Sequence, residues 1–283
     1  MPTLRITIDI FSGRPNPVIE LSGRPAREAI ALLRAARRAG KREADLPPVP
    51  TLGYRGLLIE EVGARPRVPI RTADQALEDF ICGSTDLLRR LKLGRDFPSI
   101  LRKEIDRFRD LRHRWPRPHK VRWPVRIRCR CAPLYEPAWW NDGGQRQLRN
   151  NCYNYASNYR TDTFHQIPGG SQPGAAAGAM YTQLTCASVR PAAIADGLIA
   201  RPFANNRCPG EGHLVALVIA PGIDFHWYRK GRNGYWSHKP GTTPVINVDN
   251  STNLIPDPRT ADRGMYTQFC TFMVVMHGHI KIR

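Results

Sequence analysis

From residue 211 onward the chain repeats one pattern, a short run of apolar and aromatic residues followed by a Pro, Gly or Asn turn. GHLVALVIA, FHWYRK, YWSHK, PVINV and QFCTFMVVM all have the β-branched and aromatic character of strands. Connections this short join neighbours that run antiparallel. A turn near Gly222 pairs His213 with Gly231, and because side chains alternate across a sheet, His226 then faces the side opposite His213. A turn centred near Arg232 places His226 opposite His238 on the next strand.

Helical sequence precedes this meander. A helix is expected to begin near Cys152, then a glycine-rich loop, HQIPGGSQPGAAAGAMY, then a helical CASVRPAAIADGL ending at Gly197. Helices followed by an antiparallel meander make an α+β domain over residues 141–283. The N-terminal part reads as a smaller α/β unit over residues 1–115. TLRITIDIF and VIEL form strands around the turn SGRPNP, and a helix runs from Pro25 to Gly40. LPPVP is a stiff loop, GLLIEEV a strand, and TADQALEDFI a short helix opened by a capping residue. Leu101, Ile105, Phe108, Leu111 and Trp115 recur at helical spacing, so residues 98–115 form an amphipathic helix with a basic face. Residues 116–140, rich in Pro, Arg and Trp, read as a linker. SGRP occurs at residues 12 and 22, two turns rather than a repeat.

The 283 residues carry 43 basic and 24 acidic side chains, net +19. Residues 89–130 alone hold 16 basic and 4 acidic side chains, net +12, so the charge belongs mostly to one segment. Such a segment attracts nucleic acid or an acidic polymer, with Trp115, Trp123, Trp139 and Trp140 available to stack on bases; it serves equally as a solvated helix face. No run reaches the ~18 apolar residues of a membrane span. The start, MPTLRITIDIFSG, lacks the pattern of a cleaved secretory signal, so a cytoplasmic protein, or one exported without a cleaved signal, is expected. Seven cysteines, an odd number, make no complete disulfide framework. In a reducing compartment all are thiols; after export three bridges and one thiol are possible.

Cys152 lies in NNCYNYASNYR, at the first turn of its expected helix. Unpaired backbone N–H groups there favour thiolate, the nucleophilic form. His213, at the mouth of GHLVALVIA, is the candidate base. NCYNYA, the QPG loop, the Ala-rich helix ending in DGL and GHLVALV together resemble the CHAP family of cysteine, histidine-dependent amidohydrolases and peptidases, and the related NlpC-type peptidases. The resemblance covers about residues 150–230. It implies a papain-like domain, a helix carrying cysteine packed on an antiparallel sheet. It also implies Cys152 as nucleophile, Tyr155 and Ala156 as the residues that follow it, and His213 as base. His226 matches the NlpC-type orienting position, while CHAP members place an acid or amide where this chain has Arg229 and Lys230. His238, Asn247 and Asp249 are further candidates to orient the base. Asn150, Asn151, Tyr155, Trp227 and His238 would line the substrate site, an Asn side chain helping to hold the oxyanion.

The expected reaction is hydrolysis of a peptide or peptidoglycan-type amide, with no cofactor and no metal. The alternatives are a non-enzymatic basic binding protein and an inactive papain-like recognition module. Structural zinc would need Cys129-Arg-Cys131 with Cys208 and His213, a poor spacing. GGSQPGAAAG lacks the G-K-[ST] of a phosphate loop and reads as a flexible wall or lid.

Overall fold

Strand-forming sequence is divided between two antiparallel sheets. The computed structural model describes residues 3–38, 49–63, 69–114, 129–166, 169–201 and 205–283, with backbone only for 112–114. The first sheet contains β1 (Thr3–Ile8), β2 (Val18–Ser22), β3 (Leu57–Val62) and β4 (Ile70–Thr72), in the order β2-β1-β3-β4. Leu4, Ile6 and Ile8 alternate inward on β1, and Ile19 and Leu21 do the same on β2. Four helices accompany this sheet: α1 (Gly23–Arg38), α2 (Gln75–Gly83), α3 (Thr85–Arg90) and α4 (Phe97–Arg114). Asp74 caps α2 by accepting the Leu77 N–H. Leu101, Ile105 and Phe108 are buried along α4, while the end of the expected stripe at Trp115 lies outside the described residues.

Asp9 is the buried charge of this first unit. Burial raises its pKa, but Arg55 at 2.6 Å and Arg71 at 2.7 Å outweigh that and hold the carboxyl well below the usual range.

The second sheet has the order β5-β9-β6-β7-β8, from β5 (Ile199–Ala200), β6 (His213–Ala220), β7 (Asp224–Lys230), β8 (Trp236–His238) and β9 (Gln268–Val275). Helices α5 (Pro137–Trp140), α6 (Gln145–Leu148), α7 (Cys152–Ser157) and α8 (Cys186–Ala195) complete this unit. The two sheets and their helices make the chain α+β. The register Val215↔Arg229 through Ala220↔Asp224 is the one a turn at Gly222 sets. His238 pairs with Tyr228 rather than with the expected His226, so the second hairpin turns about residue 233, one residue later than its turn residues suggest. PVINV forms isolated bridges rather than a strand.

Each side of the β6–β7 hairpin has its own chemistry. Val215, Leu217, Ile219, Phe225 and Trp227 join Cys152, Tyr153, Ala156, Val189 and Ala193 in one apolar core. His226, Tyr228 and His238 belong to the other side by alternation.

The described residues form two compact units, those within 1–10, 16–49 and 53–113 in one and those within 11–15, 50–52 and 114–283 in the other. Part of the expected linker, 116–128, lies outside the described residues; 129–140 belong to the second unit. The SGRP turn at residue 12 also belongs there. Asp224 accepts the backbone N–H groups of Ser12 (2.6 Å), Gly13 (3.2 Å) and Arg14 (3.2 Å) and the Tyr266 hydroxyl (2.6 Å). Gly13 fits because a Cβ there would stand 2.4 Å from the Phe225 ring and 2.5 Å from its carbonyl oxygen.

Asp224→Ala strands three buried donors and a half-buried one, each buried donor costing about 1–3 kcal/mol. Chemical denaturation is expected to show a loss of at least about 3 kcal/mol, and less from Asp224→Asn, which keeps an acceptor. A change under about 1 kcal/mol for Asp224→Ala would show that this carboxylate does not hold the turn.

Candidate functional site

Cys152 opens α7, where Asn151 is the N-cap. The Asn151 side-chain oxygen accepts from Tyr153 and Asn154 N–H, and the Asn154 side chain accepts from Asn151 N–H, a reciprocal capping box. The Asn151 amide nitrogen donates to Gly13 O (2.7 Å) and Ser171 O (2.9 Å). Asn150 is equally occupied, donating to Arg146 O and Asp162 and accepting from Thr161 and Asp162 N–H. Both amides hold the chain together, so neither is free to bind an oxyanion.

Cys152 is 0 % exposed. Burial pushes its thiol well above the ordinary range, and the nearby Asp224 adds to that; a bond from the Trp227 backbone N–H opposes it without winning. Desolvation therefore overrides the stabilisation of thiolate that a helix start provides, and α7 is only six residues long.

His213 faces α7, but one turn beyond Cys152. Its Nε2 meets Ala156 O at 2.7 Å, and since a carbonyl only accepts, Nε2 carries the proton. Its Nδ1 has no hydrogen-bond partner. Cys152 adjoins Trp227, which pairs with Leu217, four residues along β6 from His213. His213 thus meets α7 at Ala156, four residues on from Cys152, and its protonated nitrogen is engaged there. Burial lowers the His213 pKa to about 3, so the ring is neutral.

His226 and His238 do meet. His238 Nε2 lies 3.0 Å from Val248 O and so donates to it, leaving Nδ1 to accept from His226 Nε2 at 2.9 Å. Burial lowers the His238 pKa to about 4. Tyr228 and Tyr266 lie edge-on or tilted against the His226 ring, at 4.9 and 5.6 Å. This directional relay lies on the face opposite the Cys152 core. Asp249, a candidate to orient the base, instead accepts Ser251, Asn253 and Asp262 N–H groups and shapes a turn. Asn247 is buried nearby in the sequence.

The expected substrate residues are buried too. The Tyr155 hydroxyl bonds Ser237 Oγ at 2.7 Å, and the Arg229 guanidinium lies 3.9 Å from the Tyr155 ring centroid. Trp227 packs on Tyr153 at 5.4 Å within the core. Arg229 gave no sequence signal for its role. It donates to Tyr155 O, Asn158 Oδ1 and Leu134 O, fastening the C-terminal end of α7. Among the described residues no group of three or more His, Cys, Asp or Glu is placed to hold a metal ion.

The cysteines settle into two disulfides, Cys129–Cys208 and Cys186–Cys270, with Cys82, Cys131 and Cys152 free. The zinc alternative fails at Cys129 and Cys208, whose sulfurs are spent on each other.

No protein-family model and no solved structure matches the chain. A curated protein does: Insoluble matrix shell protein 1 of Ruditapes philippinarum is 45% identical over 148 residues, 51% of this chain and 91% of that protein. The chain belongs to the family of insoluble matrix shell protein 1. The matched stretch is thus nearly all of the shell protein and about half of this member of its family.

The geometry makes Cys152 a packing thiol. Native protein at pH 8 is expected to leave Cys152 unmodified by iodoacetamide, with labelling after denaturation and no change on His213→Ala. Peptide mass mapping reads this, and rapid native labelling of Cys152 would contradict its burial. The histidines carry a second expectation. A folded pKa below the unfolded value of about 6.5 leaves stability intact above pH 6.5 and removes it as pH falls towards about 4 for His238 and 3 for His213. His238→Gln is expected to lose about 2 kcal/mol less than wild type between pH 7 and 5, measured by denaturant melts at each pH. Equal losses would contradict a neutral buried His238.

Proposed function

We propose that this chain is a non-enzymatic component of an insoluble extracellular matrix and binds acidic polymer through its basic helices. The observation that carries this reading is the family relation to a shell matrix protein. Two disulfides support an oxidising, extracellular setting. No helix among the described residues is long and apolar enough to cross a membrane.

The binding surface is read from charge. On α1, Arg27, Ala31, Arg34 and Arg38 repeat at helical spacing, and with Ile30 and Ala35 they line a groove of about 520 Å³. Arg27, Arg34 and Arg38 are exposed, as are Arg89, Arg90, Lys92, Arg95, Arg102 and Lys103 from residues 89–130. Guanidinium groups beside small apolar side chains suit a flexible chain of carboxylates or sulfates, which they engage through paired N–H donors. Nucleic acid offers the same charge; of its stacking candidates Trp139 is exposed and Trp140 buried, while Trp115 and Trp123 lie outside the described residues.

A cysteine amidohydrolase of papain-like build is the second reading, favoured by the placement of Cys152 at the start of a capped helix on an antiparallel sheet. It requires exposure of Cys152 and a base within reach, and the alkylation experiment above tests the first requirement.

Poly-aspartate binding is expected to weaken at least tenfold between about 50 and 500 mM salt. Replacing Arg27, Arg34 and Arg38 together by Gln is expected to weaken it a further several-fold, with the melting profile unchanged. Isothermal titration at three salt concentrations measures both. Salt-insensitive binding, or none, would overturn the acidic-polymer assignment.

A further inference from the structure

Three sulfurs gather at one place on the second unit. Cys129 is buried and bonded to Cys208, while Cys131, two residues along, is exposed. The Cys131 thiol donates to Gly210 O at 3.3 Å, two residues beyond the half-buried Cys208. A small turn sets this arrangement. Ala132 N–H donates to Cys129 O, Cys129 N–H to Arg232 O and Arg232 N–H to Pro133 O. The turn directs one cysteine inward to its bridge and the other out to solvent. Gly210 is exposed, and a Cβ added there would meet nothing within 4 Å.

The other free thiols are poorly suited to attack. Cys152 is sealed, and burial pushes the half-buried Cys82 up to about 11. Cys131 combines exposure with a neighbouring disulfide whose Cys208 end reaches the same surface.

We propose that Cys131 and the Cys129–Cys208 bridge form a thiol–disulfide exchange site that links copies of this chain. The thiolate of Cys131 in one copy attacks Cys208 Sγ of a second. A Cys131–Cys208 bond forms between the chains, the Cys129–Cys208 bond breaks, and Cys129 leaves as thiolate, taking up the proton that Cys131 lost. One thiol is consumed and one released, so no oxidant is needed. Cys208 is the sulfur attacked because Cys129 is only 3% exposed. Each chain carries one donor and one acceptor on one surface. Two copies facing about a two-fold axis therefore exchange reciprocally, and copies offset from that axis extend into a chain. The proposal rests on the matrix reading for its purpose, covalent insolubility, though the chemistry is local to these three cysteines.

The experiment uses the full chain, purified without reductant, with ¹⁴N- and ¹⁵N-labelled protein mixed at pH 8 under argon. Samples are quenched with N-ethylmaleimide, run on non-reducing gels and mapped by mass spectrometry. Reductant-sensitive dimers and larger species are expected, containing mixed-isotope Cys131–Cys208 peptides. Cys131→Ser should lower them more than tenfold, and Cys82→Ser should leave them unchanged. Circular dichroism of both variants checks the fold. Four outcomes would overturn the proposal: no linked species, a ladder that survives Cys131→Ser, Cys131–Cys208 peptides of single isotope only, or Cys131–Cys131 links that need air. Loss of linking with poly-aspartate binding intact rejects exchange and leaves the matrix reading standing. Linking with no polymer binding does the reverse.

Discussion

The carboxylate of Asp224 is the contact on which the surroundings of Cys152 depend. It is fully buried at the start of β7 and takes four donors, three of them consecutive N–H groups of the SGRP turn. Burial raises its pKa and these bonds pull it back. Once Asp224 holds that turn, Gly13 offers its carbonyl to both Asn151 and Gln172, at 2.7 and 2.8 Å. Asn151 in turn caps α7. A chain of hydrogen bonds thus runs from a sheet carboxylate through a distant turn to the helix start, with no water required.

That chain also accounts for the burial of the thiol at the helix start. An activated cysteine needs a polar, accessible setting and a base; here Cys152 packs with Tyr153, Ala156 and Trp227 in one apolar core, and His213 bonds Ala156 O. The surrounding cations are likewise structural. Arg229 and Lys239 are buried and donate to backbone carbonyls, Lys239 to Gln147 O and Gly241 O at 2.5 and 2.6 Å. Charges spent on carbonyls tie loops to the sheet. The second unit carries both disulfides, and the first unit carries most of the exposed arginine of the basic helices.

Periodicity made much of the architecture legible. The apolar face of the β6–β7 hairpin, the capped α2 and the inward stripe of α4 follow from local residue order. Short segments escaped notice because they lack a pattern: β4 has three residues, β5 two, and α5 and α6 four each. The histidine pair was visible as a cross-strand possibility, yet its register was not. Hairpin length depends on the backbone path through Gly231–Gly234, where Gly231 N–H bonds Tyr235 O and Gly234 N–H bonds Gly231 O.

Sequence alone determined that the C-terminal half is built of antiparallel strands preceded by a helix with cysteine in its first turn, because strand alternation and capping are local properties; the expected meander holds only for β6, β7 and β8, since β9 returns beside β6. It determined the concentration of positive charge as well. Tertiary structure alone decided what that cysteine can do. Exposure, reach to a histidine and the local dielectric are set by residues far apart in the chain: Gly13 and Asp224 around the thiol, Ala156 against His213, and Cys208 beside Cys131. Chemistry at a side chain follows from what surrounds it in space, and here the surroundings come from segments far apart in the chain, 57 residues for Ala156 and His213 and 211 for Gly13 and Asp224.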